Sequence, residues 1–114
     1  MAAAPEPEEA LSTRVDALTA GGWTDQFRAE RSGLRSLASH RIHAFEFLVV
    51  DAFYRFEGSS DPDDEAILFA LTSQADGTRG TWVIPFGPNA SALEAEAGRR
   101  LLGEAAARRG GRTH

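Results

Sequence analysis

The segment AILFALTS, residues 66–73, limits the possible folds most strongly, because both of its alternating faces are apolar. Successive side chains of a strand point to opposite faces of a sheet, so a strand that is apolar on both sides needs cover on both sides. The segment TWVIPF, residues 81–86, has the same character and follows an Asp76-Gly77 turn signal. These patterns predict two central strands joined as a hairpin.

Three further strands are predicted before these two. The segments 23–29 and 34–39 alternate with a period of two and are separated by ERSG, which predicts a hairpin. The segment 45–58 is rich in β-branched and aromatic residues, which favours a long strand. One face of that strand is expected to carry Leu48, Val50, Ala52, Tyr54 and Phe56. The other face is expected to carry Phe47, Val49, Asp51, Phe53, Arg55 and Glu57.

A helix is predicted at each end of the strand region. Residues 8–20 carry an apolar stripe that ends at Gly21-Gly22, and Ser91 with Glu94 forms a capping-box pattern at the start of a second helix. We expect one domain over residues 8–109, with disordered tails at residues 1–7 and 110–114.

The predicted element order is α-β-β-β-β-β-α, and no strand connection is long enough for a crossover helix. The fold class is therefore expected to be α+β, with an antiparallel five-stranded meander flanked by the two helices. If both helices lie on one face of this sheet, the other face exposes large apolar residues, which predicts a symmetric homodimer. One helix on each face would instead leave a monomer.

Composition narrows the classes of function. The chain has 114 residues, a net charge of -5 and no cysteine, and all twelve of its basic residues are arginine. The missing cysteines exclude disulfides and zinc sites built on sulfur, and the scattered arginines argue against a nucleic-acid partner. No signal peptide and no membrane-spanning run is expected, so the prediction is a cytoplasmic protein with no membrane partner.

The segment SDPDDE, residues 60–65, is the main candidate for chemistry. Asp61, Asp63 and Asp64 offer the oxygen ligands that a divalent cation prefers, although the pattern is not that of an EF-hand. The favoured interpretation is a solvated turn in which these carboxylates accept hydrogen bonds from the backbone, so no cofactor is predicted. A divalent cation is the alternative.

Arg55 is the second candidate, because an arginine within a central strand of the sheet, where we expect it, must pair with a carboxylate or reach solvent. An ion pair with a nearby carboxylate is favoured over a site for an anionic ligand. His40 and His43, with Glu46 as a third ligand, form a weaker metal hypothesis than ordinary surface histidines. The segment DGTRGT, residues 76–81, is interpreted as a hairpin turn and not as a phosphate-binding loop.

The segments VDAFYRFEG, SDPDDEAILFAL and DGTRGT, together with Phe86-Gly87, resemble a family of small bacterial proteins of unknown function. Some members of that family carry the automatic label phosphoribosyl pyrophosphate synthetase. The resemblance covers about residues 23–87 and implies a small α+β domain, with no established activity. It also implies a shared surface around Arg55, Glu57, Asp61, Asp63 and Asp64.

Two functions remain open at this point. The first is a binding or regulatory module that acts through a protein partner or through self-association, which fits the small size and the missing catalytic constellation. The alternative is a small metal-dependent enzyme, or a sensor of an anionic, phosphate-bearing ligand, that uses the acidic loop and Arg55. Enzymatic activity is the less favoured of the two.

Overall fold

The computed structural model describes residues 11–56, 66–85 and 91–112, with side chains described up to residue 103. The elements in chain order are α1 (Leu11–Ala20), β1 (Asp25–Ala29), β2 (Gly33–Ser36), β3 (Ile42–Ala44), a 3₁₀ helix (Phe45–Phe47), β4 (Leu48–Phe56), β5 (Ala66–Ser73), β6 (Arg79–Pro85) and α2 (Ala92–Arg112).

The α+β class is confirmed, but the predicted purely antiparallel sheet of five strands is wrong. The strands form a six-stranded mixed sheet in the order β3-β2-β1-β6-β5-β4. Two antiparallel meanders, one of β1 to β3 and one of β4 to β6, are joined where β1 pairs with β6 in parallel. The prediction assumed that only strands adjacent in sequence pair, and an extra strand, β3, lies where a loop was expected.

The link between β3 and β4 forces the sheet to curl. These strands form opposite edges of the sheet, which in a flat arrangement would lie about 24 Å apart at ~4.8 Å per strand. Only Phe45–Phe47 separate the end of β3 from the start of β4. Four Cα-to-Cα steps reach about 15 Å at most. The first meander must therefore fold back over one face of the second.

A buried contact between His43 on β3 and Ser73 on β5 marks where the curled sheet meets itself. The His43 Nδ1 atom lies 2.8 Å from the Ser73 hydroxyl oxygen, and both residues are buried. The Phe27 ring, on β1, packs nearly perpendicular to the imidazole with 5.9 Å between ring centroids. The main chain adds a bond at the same place, because the Gln74 N–H donates to the Phe47 carbonyl.

The two helices cover opposite faces of the sheet. Ala97 and Leu101 of α2 belong to a core cluster with Ile67, Phe69 and Leu71. Leu18 of α1 belongs to a second cluster with the alternating residues Leu68 and Ala70. We call these sides the α2 face and the α1 face. The expectation that both helices share one face, on which the homodimer argument rested, is wrong; the oligomeric state itself stays a prediction.

The start of α2 confirms the predicted capping box. The Glu94 N–H donates to the Ser91 hydroxyl at 3.0 Å, and the Ser91 N–H donates to the Glu94 carboxylate at 3.1 Å. These bonds satisfy backbone donors that the first helical turn leaves without partners. The helix continues to Arg112, beyond its predicted end at residue 109.

A β-bulge in β4 changes which of its side chains share a face. Val50 pairs with Leu71 and Ala52 pairs with Ala70, so Asp51 is an extra residue without a partner on β5. A bulge shifts the alternation by one position. Leu48 and Val50 therefore lie on the α2 face, whereas the even-numbered residues from Ala52 onward lie on the α1 face. The predicted single face from Leu48 to Phe56 is wrong for this reason.

Gly33 is expected to tolerate no side chain. A Cβ atom there would lie 2.0 Å from the carbonyl oxygen of His43 on the paired strand. Because the obstacle is backbone, Gly33→Ala should destabilise the protein by about 3 kcal/mol or more, measured by urea unfolding. Gly103→Ala on α2, where a Cβ meets nothing within 4 Å, is the control and should gain about 0.5–1 kcal/mol. Equal stability of the two variants would refute this packing.

The His43–Ser73 contact gives a second prediction. Ser73→Ala removes the partner of a buried imidazole nitrogen, and it also removes the oxygen that accepts the Ala75 N–H at 3.2 Å. We expect a loss of about 1–3 kcal/mol in the free energy of unfolding. Ser12→Ala, at an exposed position of α1, is the control and should change stability little. A Ser73→Ala protein as stable as the wild type would mean that the contact does not hold the curled sheet.

Candidate interaction surface

Strand β4 is one edge of the sheet and is the longest strand of the described chain. It pairs with β5 on one side, and none of the described strands pairs with its other side. An edge strand presents a row of backbone N–H and C=O groups that another extended chain can pair with. The opposite edge, β3, has three residues only. Very short edge strands are poor templates for pairing, so β4 is the edge better suited to pair with another extended chain.

The exposed side chains of β4 alternate with half-buried ones. Beyond the bulge, Asp51, Phe53 and Arg55 are exposed, while Ala52, Tyr54 and Phe56 are partly buried against the α1 cluster. The Phe53 side chain is 42% exposed and its ring lies 6.2 Å from that of Phe69, centroid to centroid. The edge therefore combines backbone groups that none of the described strands pairs with and large side chains that are partly buried.

Asp51 holds the bulge in place from the α1 face. Its carboxylate accepts a hydrogen bond from the Trp23 indole N–H at 3.0 Å and another from the Thr72 hydroxyl. The Arg79 guanidinium lies 5.2 Å above the Trp23 ring. A bulge and a charged side chain are both devices that keep an edge from pairing. They act at the first half of β4 and leave Ala52 to Phe56 as its regular part.

Arg55 lies on the α2 face of β4, opposite Ile67 of β5. It is exposed and sits on an edge strand, so the expectation that it belongs to the interior of the sheet is wrong. The sequence prediction grouped it with Glu57, Asp61, Asp63 and Asp64, and these four residues lie outside the described residues. The predicted acidic surface around Arg55, and its use for an anionic ligand or a cation, stay predictions.

Among residues 11–56, 66–85 and 91–112, no group of three or more His, Asp or Glu side chains is placed to hold a metal ion. The hypothesis of a site at His40, His43 and Glu46 therefore gains no support, and His43 is instead buried against Ser73. Asp61, Asp63 and Asp64, the weak metal candidates, fall in the range 57–65 that the structure does not describe.

A shallow groove of about 380 Å³ lies at the end of the sheet where β1 and β6 begin. It is lined by Thr24, Asp25, Thr78 and Arg79 together with small residues. The Asp25 carboxylate accepts bonds from the Ser36 hydroxyl and from the Gln26 and Ala38 N–H groups. One carboxylate and one guanidinium give the lining no net formal charge. No sequence motif marks it.

The turn after β5 confirms the interpretation of DGTRGT as a hairpin. Gly77 has a φ of 81°, and the Gly77 N–H donates to the Ser73 carbonyl. The Thr78 hydroxyl and then the Thr78 N–H, both donating to the Asp76 carboxylate, hold the pKa of Asp76 below its usual value. His43 and Arg41 contribute in the same direction, and Arg41 Nη1 lies 3.6 Å from the carboxylate.

Neither of the two described helices combines the length and apolarity that crossing a bilayer requires. Comparisons with protein families, with curated proteins and with solved structures find no match to this chain.

The lowered pKa of Asp76 makes its contribution to stability dependent on pH. A carboxyl whose folded pKa is depressed stabilises the fold above its unfolded pKa, and that stabilisation is lost as pH falls through the folded pKa. Asp76→Asn should therefore lower the melting temperature at pH 7, and the difference from wild type should shrink below the ordinary value of 3.8. Asp16→Asn, exposed on α1, is the matched control. A difference that stays constant down to about pH 2 would contradict this assignment.

Proposed function

We propose that the protein is a non-enzymatic binding module that accepts an extended strand along the outer side of β4. The observation that carries this proposal is the unshared edge of β4 within the described chain, beside exposed Phe53. In strand addition, main-chain hydrogen bonds supply affinity and alternate side chains supply specificity. The partner strand comes from another protein or from a second copy of this chain.

The contrast between the two edges supports the proposal. Edge strands of stable monomers are usually short, bulged or charged along their length. Edge β3 is short, and the first half of β4 carries the Asp51 bulge. Residues 52–56 have regular pairing to β5 and carry one formal charge, that of Arg55. The features that keep an edge strand from pairing with another chain are thus fewest over residues 52–56 of β4. Strand addition requires such an edge.

The rigidity of β4 also supports the proposal. A binding strand that is already ordered loses less entropy on association than a flexible one. Residues 52–56 pair with β5 along their inner side, and β5 is the most deeply buried strand of the sheet. The half-buried Tyr54 packs under the guanidinium of Arg14, 4.6 Å from its ring centroid. The edge is therefore presented in the extended conformation that a partner strand needs.

Replacing Phe53 by a charged residue tests this function. Phe53→Lys places a cation on the β4 edge, a device by which natural edges avoid pairing. Immobilised wild-type protein should retain a partner from a lysate of the source cells, whereas Phe53→Lys should retain less than about a tenth as much. Leu37→Lys, in the turn after β2 and of matching exposure at 43%, should behave as the wild type.

Two measurements complete this test. Circular dichroism establishes that both lysine variants are folded. Amide hydrogen exchange should show that the retained partner slows exchange in β4 more than in β3. The proposal would be wrong if Phe53→Lys and wild type retained equal amounts of the partner. It would also be wrong if the partner slowed amide exchange elsewhere and not in β4.

A further inference from the structure

We infer that the strand which pairs with β4 is β4 of a second copy of this chain, running antiparallel, with Tyr54 opposite Tyr54 on a two-fold axis. This inference rests on the proposed function of the β4 edge and names its partner. It goes beyond that proposal because it fixes both the identity of the partner and the register.

The bulge limits where two copies of β4 can pair in a regular ladder. Asp51 interrupts the alternation, and residues 52–56 continue it without interruption. A two-fold axis makes the register symmetric, so the centre of a regular segment pairs with itself. The centre of residues 52–56 is Tyr54. This register uses the whole regular segment of both copies and keeps the bulges outside the ladder.

The side chains are complementary in this register on the α2 face. Phe53 of one copy lies opposite Arg55 of the other, and the pair occurs twice because of the symmetry. Both side chains are exposed in the single chain and lie on the same face, opposite Phe69 and Ile67 of β5. An arginine guanidinium beside an aromatic ring is a favourable pairing, and opposite residues of antiparallel strands are within reach of it.

The α1 face is complementary for a different reason, which is size. Ala52 of one copy lies opposite Phe56 of the other, so a small side chain leaves room for a large one. Tyr54 lies opposite its own copy, which brings two aromatic rings together across the strands. All three residues are only partly buried in the single chain and pack against the α1 cluster. Pairing extends that cluster across the two-fold axis.

A register centred on Phe53, one residue earlier, lacks these matches. Centring the pairing on Phe53 would place Arg55 opposite Asp51, which by charge alone is a favourable pair. The bulge places the Asp51 carboxylate on the α1 face, where it binds Trp23 and Thr72, whereas Arg55 lies on the α2 face. The two charges would thus lie on opposite sides of the sheet. The geometry favours the register centred on Tyr54.

The absence of cysteine in the sequence allows a direct test by disulfide trapping. Cα atoms of opposite residues in an antiparallel pair lie about 4.5–5.5 Å apart, within the range that a disulfide spans. Tyr54→Cys should form a covalent dimer with itself under mild oxidation. Mixed Phe53→Cys and Arg55→Cys proteins should cross-link to each other at least about five times more than either does alone.

Controls separate this register from random collision and from misfolding. Val83 lies on central strand β6 and is 36% exposed, close to the 42% of Phe53. Val83→Cys should therefore give little dimer. The Phe53 and Arg55 positions are exposed, so their cysteine variants remain informative if Tyr54→Cys does not fold. Self-cross-linking of Phe53→Cys in excess of the mixture would overturn the register.

The wild-type chain gives an independent measurement. Light scattering coupled to size exclusion should give twice the chain mass of 12.3 kDa at micromolar loading, and Phe53→Lys should give a single chain mass. A mass of one chain at every loading, together with no trapping above the Val83→Cys level, refutes self-pairing. If Phe53→Lys still abolishes retention of a different protein in that case, the proposed function stands and this inference alone fails.

Discussion

The short connection between β3 and β4 is the constraint on which the rest of the structure depends. Three residues join the two edges of a six-stranded sheet, and the sheet must curl until those edges come within reach. Curling places buried His43 against Ser73 and Phe27. Ala97 and Leu101 of α2 pack into the core cluster on the α2 face. A longer connection would remove this restraint and allow the first meander to open.

The same constraint makes the two edges of the sheet unequal. Edge β3 lies where the sheet folds back on itself and ends after three residues. Edge β4 spans nine residues, and none of the described strands pairs with its outer side. A polar network at Asp51 occupies its first half, and the regular second half carries aromatic side chains on both faces. The function proposed for the protein follows from this inequality, since only one edge is long and regular.

Features governed by local chemistry could be predicted from the sequence. The capping box at Ser91 and Glu94, strand β5 and the Asp76-Gly77 turn each depend on residues that are close along the chain. The placement of the two helices could not be predicted, because hydrophobic periodicity does not say which sheet face a helix will cover. α1 and α2 both carry apolar stripes, and each packs on a different face.

Features that depend on distant parts of the chain could not be predicted. Strand β3 is three residues long, which is too short for alternation to show. The bulge at Asp51 appears only from the pairing with β5, because the local sequence is apolar on both alternating faces and has no signal at that position. Residue type alone therefore made Arg55 a candidate. The strand pairing was needed to place it on an edge strand and, with Phe53, on the α2 face.

The parallel pairing of β1 with β6 has a consequence for the order of folding. Among the described strands it is the one pairing between strands that are not consecutive, and it joins Asp25 to Gly80. Each meander forms by pairing strands that are consecutive in the chain. The β1–β6 pairing, which we call the seam, joins residues that are distant in the chain, and closing the long loop between them slows folding. We expect both meanders to form early and the seam late. Gly80, where a Cβ atom would lie 2.6 Å from the Asp25 carbonyl oxygen, lies in that seam, so close backbone approach there belongs to the last step of assembly.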